Sequence, residues 1–244
     1  PVSLDLSAPG LRPDEPVNLE LALRAGPLSR LARWAGSDLP PGATSGVIEV
    51  GGILGDPTLR AAGVAELDAA GWSRPARVEW QVTRDAGELE YWADLFEGFD
   101  RRAALLGEAE TEASEIFAWA LRGAREPLWN DWDLYAKELD TNVVLRDIPA
   151  QSLLDLGGVD LEVDGLLNGD VSLAGSAMRP VLESSVRWHG ADLGGATLAH
   201  ASFDLEHDDG VYMPTIALQF EDAGGFFVGG DVPMVVDLST DWST

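Results

Sequence analysis

Strict alternation of apolar and polar residues is the feature that most limits how this chain can fold. Every second position is apolar in seven segments, which begin at Val17, Val78, Leu89, Leu105, Ala199, Ile216 and Met234. A period of two is that of a β-strand, because successive side chains point to opposite faces of a sheet. One apolar face and one polar, mostly acidic face are typical of antiparallel strands, since buried parallel strands are apolar on both faces. The pattern predicts an all-β fold built on a long antiparallel sheet.

A glycine-rich phrase occurs twice, as SGVIEVGGILGDPTL at 45–59 and as NGDVSLAGSAMRPVL at 168–182. The shared residues lie 123 positions apart: Gly46 and Gly169, Gly52 and Gly175, Pro57 and Pro180, Leu59 and Leu182. Similarity at a fixed spacing indicates a repeat architecture, although two unrelated glycine–proline turns are the alternative. Glycine inside a strand marks a bend, and proline lacks a backbone donor. We therefore predict a sheet that curls at the glycines, with strands that end at the prolines.

Three short helices are predicted between the strands, at 27–35, 114–122 and 149–156. Each begins at a residue that favours helix starts (Pro27, Ser114 or Pro149) and is followed by glycine. The segment 58–71 is ambiguous, and we predict that it is extended. The first and third helices precede the two copies of the phrase. This predicts two sheet units, 17–138 and 139–244, in one continuous sheet, with 1–16 as the end of a preceding unit.

Charge and composition exclude several classes of protein. The chain has 42 acidic against 16 basic residues and a formal net charge of -26, which argues against nucleic-acid binding. Its 45% hydrophobic content nevertheless permits a folded domain. The absence of cysteine excludes disulfides and thiolate chemistry. No apolar run is long enough to span a bilayer, and we interpret the chain as a segment of a longer protein.

Candidate chemical sites are weak throughout the chain. The three histidines, His189, His200 and His207, are too scattered for a metal site. Residues 160–171 begin like a calcium loop, but Val171 stands where a bidentate glutamate is required. The tryptophans could form a sugar-binding platform, but we interpret most of them as core or groove lining. No catalytic pair is singled out among the many carboxylates, so the sequence predicts no enzyme, no metal and no cofactor.

Two long stretches share one order of features, a predicted short helix, a strand opened by glycine, a second glycine and a proline: PLSRLARWAGSDLPPGATSGVIEVGGILGDPTLRAAGVAEL and IPAQSLLDLGGVDLEVDGLLNGDVSLAGSAMRPVLESSVRW. In this order they resemble the TamB and AsmA-like proteins of the bacterial envelope, and the closing GGFFVGGDVPMVVDL is similar to the recurring strand pairs of that family. The resemblance implies a long curled sheet with a taco-like open groove and a few short helices. It further implies a periplasmic segment of an inner-membrane-anchored protein that carries phospholipid acyl chains and meets an outer-membrane barrel protein through other parts.

The residues predicted to line the lipid groove are apolar positions of the alternating segments: Val78, Trp80, Val82, Val171, Leu173, Val186, Trp188, Phe203, Leu205, Ile216, Leu218, Phe220, Met234 and Val236. We expect the five from Phe203 to Phe220 to share a concave or buried face, with His200, Asp204, Glu206 and Glu221 facing solvent. Alternation does not distinguish an open groove from a closed core. The alternative is therefore a β-sandwich or solenoid module that binds a carbohydrate or a protein.

Overall fold

Antiparallel strands make up nearly all of the described chain. The computed structural model describes residues 12, 14–27, 42–53, 55–67, 72, 74–110, 138–152, 163–176, 179–192, 197–208, 211–221 and 224–233. The strands are β1 (Leu19–Pro27), β2 (Gly42–Ile53), β3 (Asp56–Leu67), β4 (Ala76–Asp85), β5 (Glu88–Glu97), β6 (Asp100–Glu110), β7 (Leu139–Pro149), β8 (Leu166–Ser176), β9 (Arg179–His189), β10 (Ala191–Asp192), β11 (Thr197–Asp208), β12 (Val211–Phe220), β13 (Gly225–Gly229) and β14 (Val232–Pro233).

All of these strands belong to one sheet. From β1 to β9 each strand pairs with the next one along the chain, and β9, β11, β12 and β13 continue the order. The short β10 pairs with β11, and β14 pairs with β12 beside β13. The sheet is open, with β1 at one edge and β13 with β14 at the other. The prediction of an all-β fold with a single open antiparallel sheet is confirmed.

The repeated phrase forms two hairpins with the same register. Gly52 pairs with Pro57 between β2 and β3, and Gly175 pairs with Pro180 between β8 and β9. The phrase is therefore a strand, a turn and the start of the return strand. The prediction that both prolines end a strand was wrong, because each lies second in its return strand. A proline is tolerated near a strand start, where few ladder bonds need its missing donor.

Two glycine positions of the phrase have a clear backbone role. Gly52 and Gly175 adopt φ of +87° and +85°, a left-handed backbone conformation that residues other than glycine rarely adopt. Gly46 and Gly169 lie in the strands before them, where a Cβ would collide with a backbone carbonyl oxygen of the paired strand. The same glycines thus allow close strand approach and then the turn in both hairpins.

The predicted helices agree less well with the structure than the predicted strands do. Pro27 is the last residue of β1, so the start proposed for the first helix was wrong, and 28–35 lies outside the described residues. Residues 114–122 also lie outside them. Pro149 ends β7, residues 150–152 are helical, and 153–156 lies outside the description. The ambiguous segment is extended as predicted, since β3 covers it to Leu67. The division into units 17–138 and 139–244 stays a prediction.

Buried apolar residues are few and mostly small in the described chain. The buried hydrophobic residues are Ala61, Ala65, Ala76, Ile148, Ala150, Ala191, Leu198, Ala201 and Tyr212. Leu198 forms a local cluster with Ala191 and Ala201, against which Trp188, Leu218 and Phe220 pack. The large residues among the buried hydrophobic ones, Ile148, Leu198 and Tyr212, lie near strand ends, and the middle of the sheet has no large buried apolar side chain among the described residues.

Candidate functional site: an uncharged sheet face

The strand register assigns each side chain to one of two faces, because directly paired residues in an antiparallel sheet point to the same side. One row of directly paired residues crosses eleven strands, from β2 to β13: Thr44, Ala65, Val78, Leu95, Ala103, Leu145, Gly169, Val186, Phe203, Ile216 and Val228. Strands in a sheet lie about 4.8 Å apart, so this row is roughly 48 Å long. Its only polar member is Thr44, whose buried hydroxyl donates to the carbonyl oxygen of Val64 at 3.2 Å.

Two neighbouring rows have the same character. The first contains Ile48, Ala61, Val82, Tyr91, Gly107, Thr141, Leu173 and Leu182, and the second contains Gly46, Gly63, Trp80, Ala93, Leu105, Val143, Val171, Ser184, Leu205 and Pro214. None of the three rows carries a charged side chain. We call the surface made by these rows the apolar face, and the opposite surface of the sheet the acidic face.

Charged side chains on the apolar face lie only at its margins in the described strands, and they are paired there. Arg84 is 4% exposed, lies 2.9 Å from an Asp56 carboxylate oxygen and donates to the Pro57 carbonyl oxygen at 2.6 Å. At the other strand end, Glu97 accepts hydrogen bonds from Arg102 at 2.9 Å and 3.1 Å. Pairing and hydrogen bonding offset the cost of burying these charges. The centre of the face is left without charge.

Aromatic side chains lie flat along the apolar face, above glycines of the neighbouring strand. A Cβ at Gly63 would lie 2.8 Å from the Trp80 indole, and one at Gly107 would lie 2.5 Å from the Tyr91 ring. The Tyr91 hydroxyl reaches across to form a hydrogen bond with the Thr141 hydroxyl. The two rings thus cover backbone instead of projecting from the sheet. This arrangement keeps the surface even and satisfies the polar end of the tyrosine.

The apolar face is half-buried, and none of the described residues forms a second layer over it. Its large side chains are mostly of intermediate exposure, and Phe203 and Ile216 are 41% and 38% exposed. On the acidic face, carboxylate residues such as Glu49, Glu90 and Asp140 are exposed. This difference in side-chain exposure is that expected of a curled sheet, in which the flanking strands shield side chains on the concave face from solvent. A closed sandwich core would instead bury most of its large side chains.

Twelve of the fourteen predicted lining residues lie on the apolar face. They are Val78, Trp80, Val82, Val171, Leu173, Val186, Trp188, Phe203, Leu205, Ile216, Leu218 and Phe220, of which Trp188, Leu218 and Phe220 also pack on the local cluster around Leu198. The remaining two, Met234 and Val236, lie outside the described residues. The register brings the twelve onto one continuous surface, although they come from segments far apart in the chain.

The strand register confirms the predicted division of β11 and β12 into two faces. The expected order of exposure, with Asp204 more exposed to solvent than Phe203, is wrong. Phe203 and Ile216 pair on the apolar face, and Asp204 lies on the opposite one. Phe203 is nevertheless exposed, whereas Asp204 is half-buried. The reason is that nothing described covers Phe203, while the Asp204 carboxylate lies along the sheet and accepts a hydrogen bond from Ser185 at 2.6 Å.

Several apolar-face residues were missed at the sequence level. Leu95, Leu105, Val143 and Leu145 fill the centre of the face between the predicted segments. In β7 the run Val143, Val144, Leu145 is apolar at three consecutive positions, so alternation alone does not show which residues share a face. The register does, because Val144 pairs with Asp170 on the acidic face. Alternation around Leu105 was a usable signal that the prediction did not exploit.

The tryptophans do not form one platform in the described part of the chain. Trp80 and Trp188 lie on the apolar face, whereas Trp92 lies on the acidic face and pairs with Leu106, which is 65% exposed. Trp92 and Leu106 line a shallow depression of about 600 Å³. Trp92 is therefore a tryptophan that does not line the predicted groove, whereas Trp80 and Trp188 do lie on its face.

Neither a metal centre nor a membrane-spanning helix is found in the described ranges. No three His, Asp or Glu side chains there are placed to hold a metal ion. No helix among these residues is long and apolar enough to cross a membrane. No family model, curated protein or solved structure matches the chain. The geometry of the sheet is therefore the basis for a functional proposal.

Proposed function

We propose that the chain is a lipid-conducting segment of an envelope-spanning protein of the TamB and AsmA-like type. In this proposal the apolar face shields phospholipid acyl chains in the periplasm on their way to the outer membrane, and it thereby supports outer-membrane protein assembly. Other parts of the protein would hold the inner-membrane anchor and engage an outer-membrane barrel protein. The observation that supports the proposal best is the uncharged, half-buried face that runs without interruption across eleven strands.

The physical requirement for lipid transport is shielding over a long distance. Removing a methylene from water is worth about 0.8 kcal/mol, so an acyl chain of about 16 carbons needs on the order of 12 kcal/mol of protection. A face roughly 48 Å long gives a chain continuous apolar contact along the sheet. Dispersion and hydrophobic contacts have no preferred direction, so a lipid can slide between neighbouring positions. Movement of a lipid along the face therefore requires neither a chemical reaction nor a cofactor.

The acidic face serves this proposal by keeping the outside of the sheet in water. Exposed carboxylates such as Glu20 and Glu49 near β1 discourage the edge of an open sheet from pairing with other chains. A net charge of -26 has the same effect on whole molecules, which repel each other. The two faces therefore have separate tasks, lipid contact and solubility.

A second candidate is a module that binds carbohydrate or protein on the acidic face. The depression around Trp92 and Leu106 favours it, because an aromatic ring beside the amides of Gln81 and Asn142 suits the faces and hydroxyls of a sugar. This depression involves four strands, β4 to β7, whereas the apolar face involves eleven. We therefore place lipid conduction first.

Site-specific photo-crosslinking tests the proposal. The photoreactive amino acid p-benzoylphenylalanine replaces Phe203 on the apolar face or, as a matched control, the adjacent Ser202 on the acidic face. Val82 and Gln81 form a second pair in β4. The 244-residue chain is then mixed with phospholipid vesicles and illuminated. We expect lipid adducts at Phe203 and Val82 and far fewer at Ser202 and Gln81. Equal capture on both faces, or none at Phe203 and Val82, contradicts lipid conduction.

A further inference from the structure

Leu106 lies on the acidic face and is exposed although it is apolar. Its side chain is 65% exposed, and it pairs directly with Trp92 on one side and with Asn142 on the other. The same pairing continues into a row without charge that crosses eight strands: Ala22, Val47, Ala62, Gln81, Trp92, Leu106, Asn142 and Ser172. We call this row the uncharged stripe. At about 4.8 Å per strand it is roughly 34 Å long.

Two depressions of the acidic face meet at this stripe. The first has a volume of about 600 Å³, and five uncharged residues of the acidic face line it: Gln81, Thr83, Trp92, Leu106 and Asn142. The second has a volume of about 370 Å³ and shares Glu90, Glu108 and Asp140 with the first. No basic residue of the described chain lines either depression. Together they form one groove, which is uncharged along one side and negative along the other.

The carboxylates of the groove face one another without positive partners. Glu90, Glu108 and Asp140 pair directly across three strands, and Glu88 pairs directly with Glu110 two positions further along. None of these five residues makes an ion pair with another described residue. Like charges directly opposite each other destabilise a sheet. A positively charged partner beside this carboxylate row therefore stabilises the sheet as it binds.

The other side of the stripe differs in charge. Glu79 there lies 2.9 Å from a nitrogen of Arg77, and Asp94 lies 2.5 Å from a nitrogen of Arg101. These two carboxylates are neutralised within the sheet. Beside Trp92, the charge that needs a partner is therefore on one side of the stripe, so an occupant requires positive groups along one edge and apolar groups next to them.

We propose that this groove docks a basic amphipathic helix of a partner protein. The helix lies across the strands, with apolar side chains on the uncharged stripe and lysines or arginines over the carboxylate row. Helix side chains three or four residues apart are separated by about 5–6 Å, which is close to the spacing of neighbouring strands. The stripe and the carboxylate row are about 6.8 Å apart, so one helix about 10–12 Å wide covers both.

Two other occupants fit the groove less well. A neutral sugar can stack on Trp92, but it leaves the carboxylate row without positive charge. A second copy of this chain presents the same negative face and is repelled. The docking of a basic helix is independent of lipid conduction, because it uses the opposite face of the sheet.

Fluorescence anisotropy with labelled model helices tests the docking. A peptide of about 20 residues spans roughly 30 Å as a helix and carries leucines along one stripe and lysines along one flank. A control peptide has glutamates in place of the lysines. We expect the 244-residue chain to bind the lysine peptide and not the glutamate peptide. Leu106→Ser should weaken binding by roughly tenfold, whereas Phe227→Ser, which removes an exposed ring from the same face, should leave it unchanged.

A second pair of variants tests the carboxylate row. Glu108→Gln removes its middle charge and should weaken binding of the lysine peptide by up to about fivefold at low salt, with a smaller effect at high salt. Glu206→Gln removes an exposed carboxylate of β11 from the same face and should leave binding unchanged. Matching thermal unfolding curves confirm that each variant is folded.

Several results overturn the inference. If the lysine peptide does not bind, or if both peptides bind equally, the groove does not recognise a basic helix. Equal binding by Leu106→Ser and Phe227→Ser means that net charge alone attracts the peptide. If calorimetry shows that maltohexaose binds the parent chain but not Leu106→Ser, and the lysine peptide does not bind, the groove is a carbohydrate site. None of these variants lies on the apolar face, so lipid crosslinking at Phe203 succeeds or fails independently of them.

Discussion

A charge placed on the apolar face separates an open face from a closed core, and Phe203→Asp is the sharpest form of this change. Phe203 is 41% exposed, and full burial of phenylalanine stabilises a protein by about 1.5–3 kcal/mol, so losing the shielded part costs about 1–2 kcal/mol. The new carboxylate keeps its water because the face is open, and no desolvation penalty is added. We therefore expect the folded sheet to survive.

Two further variants calibrate this value. Ser202→Asp places the same residue on the acidic face of the same strand, so it reports the intrinsic cost of aspartate in β11, which is up to about 1 kcal/mol. Leu198→Asp places a carboxylate at a fully buried site and should cost several kcal/mol, a large share of a typical stability of about 5–15 kcal/mol. Urea unfolding followed by circular dichroism gives all three values. If Phe203→Asp is as damaging as Leu198→Asp, the face is covered in solution and the reasoning fails.

Two other predictions concern how the sheet is held together. Gly46→Val should destabilise the fold by about 1–3 kcal/mol, because its Cβ meets a backbone carbonyl oxygen, whereas Gly230→Val, with open space around it, should change the free energy of unfolding by less than about 0.5 kcal/mol. Similar values for the two glycine variants in urea unfolding contradict the close approach. Tyr212→Phe removes a buried hydrogen bond of 2.8 Å to the Pro180 carbonyl oxygen and should cost about 1–2 kcal/mol in the same assay. An unchanged stability would mean that this bond is not made in solution.

The strands could be predicted from the sequence because their signal is local. Alternation in segments such as 78–82 and 216–220 assigns both the strand and the face, and the matched glycines and prolines of the phrase mark two equivalent hairpins. The proline positions were harder to interpret. Pro27 and Pro149 suit both a helix start and the last residue of a strand, and the strand pairing of the full sheet decides between them.

Whether the apolar face is open to solvent or part of a closed core could not be predicted from the sequence. An open concave face and a closed core need the same alternation, and only the pairing of strands far apart in the chain shows that no second layer faces Phe203 or Ile216 in the described residues.

Native mass spectrometry of the purified 244-residue chain, after incubation with phospholipid vesicles and removal of the vesicles, tests the central claim most directly. If the apolar face shields acyl chains, the spectrum should show the chain with one or more intact phospholipids bound, and Phe203→Asp should reduce the bound fraction while the protein stays folded. A folded chain that carries no phospholipid contradicts the claim, and the binding module on the acidic face then becomes the better account.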